Sequence, residues 1–210
     1  MRSSSRVQLP LLAQRSIADS RAAQASLSAD YELQLTGRLS DAGASITCRK
    51  GCNLCCYHPV FATLLEGAAI YQSLIDQGKW SLTLKESLQK HHEQVRGLAP
   101  EVWILSMLAC PLLDDQGLCK TYLNLPFQCR NTYSIGNPEN CHPHHIGFGM
   151  MPRTELFQAI TPAETNILRR HNLQHFRIPL SVAILYGERI VTGEIELEDC
   201  RQAILETPYA

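Results

Sequence analysis

The sequence predicts a mainly α-helical fold, with small irregular β hairpins, whose helices pack around a cysteine-rich centre. Three observations predict it. Runs of strong helix formers with capping signals occupy both ends of the chain. The stretch from Cys110 to Pro152 is dense in Gly, Pro and Asn, residues that favour turns over regular elements. Eight of the nine cysteines fall between Cys48 and Cys141, so the thiols gather in the middle of the chain.

Residues 1–15, rich in Ser and Arg, read as a disordered tail. Residues 16–45 hold an N-terminal helix, proline-free from Ile17 to about Leu39 and stopped by Asp41-Ala42-Gly43. Residues 46–150 form the cysteine-cluster domain. Within it, Val60-Phe61-Ala62 reads as a short strand, and Thr63 with Glu66 as a capping box opening a helix over 64–77 that Gly78 ends. A second helix, about 83–97, carries Leu84, Leu88, His91/His92 and Val95 and stops at Gly97; a third runs from Pro100 to about Leu108. Residues 151–210 read as a helical extension of the same globule. There Thr161-Pro162-Ala163-Glu164 supplies N-cap, N1 proline and N3 carboxylate for a helix to about His171. Two more helices are expected near 179–187 and 196–206.

A chain of 210 residues, 45% of them apolar, can bury a real core. A net charge of −1 excludes a strongly basic nucleic-acid surface. The longest apolar run, around Ile178–Tyr186, is about half of the ~20 residues a membrane helix needs. The first residues lack the apolar core of a secretory signal, so a reducing cytoplasmic location is expected. There cysteine clusters bind metal more often than they form disulfides, and an odd count suits a full disulfide framework poorly.

The first cysteine group is Cys48-x3-Cys52-x2-Cys55-Cys56; the second is Cys110, Cys119, Cys129 and Cys141. The C-x3-C-x2-C spacing also occurs in radical-SAM enzymes, but these set it in a parallel βα barrel, and helices flank it here. Four-thiolate ligation of zinc or of a four-iron cluster fits better. Gly51 permits the positive φ of a tight metal knuckle. Adjacent Cys55 and Cys56 are expected to point in different directions, serving two centres or opposite sides of one. Asp114-Asp115-Gln116-Gly117 is a turn sequence whose hairpin returns Cys119 to Cys110. Cys129 and Cys141 then close that site or bridge it to the first group; one site and two sites are both compatible with the spacing. Four thiolates on a metal centre carry about −2, and Arg49, Lys50, Lys120 and Arg130 each lie beside a cysteine.

The succession C-x3-C-x2-C-C, C-P-L-L-D-D-x-G-x-C-x-x-Y, P-x-x-C-R and a final cysteine resembles the YkgJ-type cysteine-cluster proteins, a bacterial family, and more distantly the flagellin lysine methylases. The resemblance covers about residues 48–141. It implies a zinc- or iron-chelating domain with Cys48, Cys52, Cys55, Cys56, Cys110, Cys119, Cys129 and Cys141 as metal ligands. Tyr122, Pro126 and Arg130 fall on positions the family favours, so Arg130, Tyr122 and Lys120 are expected beside the bound metal. Leu125-Pro126 stands where the family commonly has Arg-Pro, which removes one cation from that surround.

Other candidates have plainer readings. His142, His144 and His145 read as a loop, since eight thiolates already suffice. His58 reads as a donor beside the ligands or an interior histidine, and His91-His92 as surface. Cys200 shares a helical face with Leu197 and Ile204 and reads as a small buried hydrophobe. Asp114 and Asp115 read as turn residues bonding backbone. Three functions follow. One is an iron–sulfur oxidoreductase or methyltransferase-like group-transfer protein, with iron favoured over zinc. The second is a structural-zinc module that binds a protein partner. The third is a metal carrier or sensor.

Overall fold

Helix packing is tightest where two glycines meet. The computed structural model of the protein describes residues 11–143, 150–152, 154–170, 175–197 and 199–200. Its elements in chain order are α1 (Leu11–Asp41), β1 (Phe61–Ala62), α2 (Leu64–Asp76), α3 (Leu82–Val95), α4 (Pro100–Leu105), α5 (Phe127–Arg130), β2 (Thr132–Ser134), β3 (Met150–Pro152), α6 (Thr154–Arg169), β4 (Ile178–Pro179) and α7 (Leu180–Val191). The fold is mainly α with small β elements. Helices α2 and α7 form the central pair. A Cβ placed on Gly67 of α2 would stand 1.9 Å from the Ala183 carbonyl oxygen, and one on Gly187 of α7 would stand 2.4 Å from the Gly67 carbonyl carbon. Only glycine lets two backbones come this close.

Both helices earn their central position by composition. Leu180, Val182, Ala183, Ile184, Tyr186, Ile190 and Val191 of α7 are all buried, with Glu188 and Arg189 left for the polar edge. The ladder of β1 and β4 pairs Phe61 with Pro179 and Ala62 with Ile178, antiparallel. Each strand leads directly into its helix, so this ladder sets the starts of α2 and α7 side by side. The expected capping box is present: Thr63 Oγ1 accepts from Glu66 N, and the Glu66 carboxylate accepts from Thr63 N at 2.8 Å. Helix α3 buries Leu84, Leu88, His91 and Val95 against α7.

Several expectations need correction. Helix α1 starts at Leu11, inside the segment read as a tail; Leu11–Gln14 are good helix formers, and Ala13, Ser16 and Ile17 are buried. Residues 1–10 lie outside the described residues. Helix α4 stops at Leu105 rather than Leu108 because Met107 adopts φ 51°, a left-handed backbone. Thr161 caps nothing: α6 already starts at Thr154, and Pro162 lies inside it. His91 is buried rather than on the surface. Its Nδ1 lies 3.2 Å from Ser181 Oγ, its ring meets Trp103 edge-on, and burial lowers its pKa to about 4. Of the helix expected near 196–206, most lies outside the described residues.

The reason Thr161-Pro162-Ala163-Glu164 does not start a helix is that Glu164 is needed inside. It is 1% exposed. Burial raises its carboxyl pKa, but hydrogen bonding from His175 and the Arg177 charge outweigh that and hold it below the usual range. Gln24 of α1 donates to Glu164 Oε1 at 2.7 Å, and Arg177 Nη2 donates to Oε2 at 3.0 Å. The other arm of Arg177 reaches Glu66 Oε2 at 3.2 Å. One guanidinium thus joins α2 and α6 through two buried carboxylates, with α1 attached by Gln24.

Gly67→Ala or Gly187→Ala should each cost about 3 kcal/mol, the upper range for core overpacking, whereas Gly37→Ala, with open space around it, should gain up to about 1 kcal/mol in the α1 interior. Thermal unfolding of the three variants checks this. Arg177→Met should cost on the order of 3–5 kcal/mol in denaturant unfolding, because it strands two buried carboxylates. Arg177→Lys should recover only part, since an ammonium lacks the planar fork.

Candidate metal centre

Four separate segments bring their cysteines to one cavity, and each is held by identifiable bonds. The first begins where Ile46 bridges Ile135 and Thr47 N donates to Ser134 O at 3.0 Å. Gly51 adopts φ 87°, the left-handed conformation expected of the knuckle, and Cys52 N closes the turn on Arg49 O at 3.0 Å. A 3₁₀ turn over Leu54–Tyr57 then carries Cys55 and Cys56.

The second segment is the expected hairpin. Asp114 Oδ1 accepts from Gln116 N and Leu118 N, Gly117 has φ 74°, and Leu113 bridges Cys119. Asp114 therefore does the backbone work expected of it. The hairpin docks on the knuckle: Cys110 N donates to Cys56 O at 2.8 Å, and a Cβ on Gly117 would stand 2.7 Å from Asn53 Nδ2. A side chain there would displace the Asn53 amide and strain the left-handed backbone of Gly117.

The third segment is α5, with Cys129. Its first amide, Phe127 N, donates to Glu66 Oε1 at 2.6 Å. Gln128 anchors it to the strand start, accepting from Phe61 N at 2.8 Å and donating to Pro59 O at 2.9 Å. The fourth is a 3₁₀ turn over Pro138–Cys141, where His58 Nε2 lies 2.6 Å from Cys141 O. His58 is buried, its pKa lowered chiefly by that burial. It touches the backbone of a cysteine rather than the cavity.

The result is a cavity of about 310 Å³ lined by Cys48, Cys52, Cys55, Cys56, Cys110, Cys119, Cys129 and Cys141. Cys55 and Cys56 were expected to point in different directions, serving two centres or opposite sides of one; both line this one cavity. A 3₁₀ turn separates successive side chains by about 120°, not the half-turn of a strand. Arg49, Tyr122 and Arg130 line the cavity as well. Lys120 does not. Its ammonium donates to Leu113 O at 3.0 Å, and with Lys50 and Lys79 it lines a neighbouring cleft of about 280 Å³. Cys200, fully buried among core residues that include Leu197, is apart from the cavity, as expected. His144 and His145 lie outside the described residues.

Four of the cavity thiols are pushed toward the neutral form. The hydrogen bond from Cys56, followed by burial, pushes the Cys55 thiol far up. Burial pushes Cys110 up to about 12 and Cys129 well above the ordinary thiol value. Cys141 is raised too, mainly by burial. Protonated thiols are poor ligands, so a soft cation entering this cavity would have to displace protons from them. Among the described residues, no three Cys, His, Asp or Glu side chains stand close enough together to hold an ion as placed. The donor set fits zinc or an iron–sulfur cluster by softness and number.

Sequence reading missed Glu66 and Ser134. Glu66 was legible only as a cap, yet its second oxygen positions α5. Ser134 donates its N–H to Cys48 Sγ at 3.4 Å and its side chain hydrogen-bonds Cys141; nothing local in the sequence marks it.

A family model described as "CxxCxxCC: Putative zinc- or iron-chelating domain" matches residues 47–147. Residues 47–147 carry a cysteine-cluster domain of this family. The matched residues contain all eight cavity cysteines and leave out Cys200, α1, α6 and α7. No curated protein and no solved structure matches the chain. Metal chelation is therefore the function the family assigns to the cavity-bearing part of the chain.

In metal-free, reduced protein, Cys110 and Cys129 should react with a water-soluble disulfide reagent at least about tenfold more slowly than exposed Cys48, because the thiolate is the nucleophile and each pKa unit removes tenfold of it. Mass-spectrometric timing of labelling at pH 8 checks the order.

Proposed function

We propose that this protein binds metal through all eight cavity cysteines, and that the metal is iron in iron–sulfur form, serving redox or group-transfer chemistry. One observation carries the reading: eight thiols from four segments face a single cavity of about 310 Å³. That volume falls in the range of small-molecule pockets and exceeds what a lone tetrahedral ion occupies. A bound cluster supplies one-electron transfer. The chain supplies the thiolates and sets Arg49 and Arg130 where their charge offsets the anionic centre. Tyr122 at the wall gives a hydroxyl within the same space. The distant sequence resemblance to flagellin lysine methylases is what suggests the group-transfer arm, and nine cysteines outside any disulfide suit a reducing cytoplasm.

The count of eight favours a second reading, two structural zincs in a module that docks on a partner protein, with metal supplying on the order of 10 kcal/mol of folding energy.

Anaerobic purification followed by elemental analysis, sulfide assay and a visible spectrum tests these. The expected result is a brown protein with iron and inorganic sulfide in equal amounts. A colourless protein with two tightly held zincs overturns the iron reading and supports the second. Cys52→Ala and Cys119→Ala should each lose metal and solubility, whereas Cys200→Ala should keep its metal; equal metal loss in Cys200→Ala overturns the ligand set.

A further inference from the structure

Three lysines from three segments converge on the cleft beside the cysteine cavity. Lys50 comes from the knuckle, Lys79 from the turn after α2 and Lys120 from the hairpin. Main-chain carbonyls hold two of them in place: Lys79 Nζ donates to Lys120 O at 2.9 Å, and Lys120 Nζ to Leu113 O at 3.0 Å. The Lys79 ammonium is not needed to cap α2. Gly78 N donates to Ile75 O, and Lys79 N and Trp80 N to Leu74 O, so main-chain amides close that end. An ammonium has three donors, which leaves each of these two with a pair to offer a ligand. Among the described residues, no carboxylate stands within ion-pairing distance of any of the three lysines. Asp114, the one carboxylate among the described residues of the cleft wall, already accepts from Gln116 N and Leu118 N through Oδ1.

Three ammoniums against one carboxylate leave two positive charges in surplus, on a chain whose net charge is −1. That surplus matches a dianion. A phosphate monoester approaches −2 above its second pKa of about 6, and lysines bind phosphate as point charges, whereas flat carboxylates suit the arginine fork. The rest of the wall is apolar: Leu118, with Tyr122 and Leu123, which are 42% and 83% exposed. A volume of about 280 Å³ suits a small molecule.

We propose that this cleft binds a small organic phosphate as its dianion, the phosphate on Lys50, Lys79 and Lys120 and the organic part on Leu118, Tyr122 and Leu123. Cys119 and Tyr122 line both the cleft and the cysteine cavity, so the bound molecule lies directly across that wall from the thiols. The proposal adds a ligand to the functional reading above and does not depend on it.

Calorimetric titration of full-length protein, purified anaerobically, tests this with phenyl phosphate, inorganic phosphate and benzoate as probes. Phenyl phosphate should bind tightest, and its affinity should fall as pH drops below about 6, where the dianion gains a proton. Lys79→Gln should weaken it about tenfold, the loss of one charge-assisted hydrogen bond, and Lys50→Gln with Lys79→Gln should weaken it further. Leu123→Ser should weaken phenyl phosphate but not inorganic phosphate. Lys85→Gln removes the same charge from a lysine paired with Glu188 on α7 and should change nothing. No binding of phenyl phosphate at about 1 mM, benzoate binding as tightly, or equal weakening by Lys85→Gln overturns the proposal. Protein that binds phenyl phosphate but holds no metal overturns the functional reading and leaves the cleft site standing.

Discussion

Glu66 is the residue through which the helical body reaches the cysteine cavity. Its carboxylate closes the cap of α2 on Thr63, accepts the first amide of α5 and receives one arm of Arg177. The same guanidinium spans to Glu164, which Gln24 and His175 also hold. A buried carboxylate is tolerated only when its lone pairs are occupied and its charge is matched. Each partner is therefore required by the others. Because the α5 amide is one of those partners, the position of Cys129 follows from ion pairing several residues away. The cavity wall inherits the rigidity of the core instead of relying on its own loops.

The same logic explains how a region so poor in regular structure keeps a shape. The knuckle, hairpin and closing 3₁₀ turn bury little apolar surface of their own. They are tied by main-chain bonds between segments, such as Cys110 to Cys56 and Thr47 to Ser134. The upward-shifted thiols of Cys55, Cys110, Cys129 and Cys141 suit that arrangement, because thiolates packed together without a cation would repel strongly in a partly buried space.

What the sequence made legible was mostly local. The capping box at Thr63, the turn at Asp114–Gly117, positive φ at Gly51 and the inward Cys200 all depend on neighbours within a few residues. The eight cavity cysteines were also legible, since their spacing is itself the signal. What failed depended on distant partners. Thr161-Pro162-Ala163-Glu164 has the form of a helix start, but Glu164 belongs to Arg177, His175 and Gln24. His91-His92 looks polar, but Ser181 on α7 gives His91 a bond that permits burial. The close approach of Gly67 and Gly187 leaves no trace in either segment alone, because each glycine is explained only by the other.

The bond from Thr47 to Ser134 and the contacts of Ser134 with Cys48 and Cys141 have a consequence for the order of synthesis. The knuckle thiols leave the ribosome well before Cys141, and at elongation speeds of about 5–20 residues per second that gap lasts on the order of 5–20 s. Through that interval Cys48 and Cys52 lack the closing turn that carries Cys141. The nascent chain is thus most open to wrong pairing and oxidation while it is half made, and the last turn of the cavity acts as the clasp that ends the exposure.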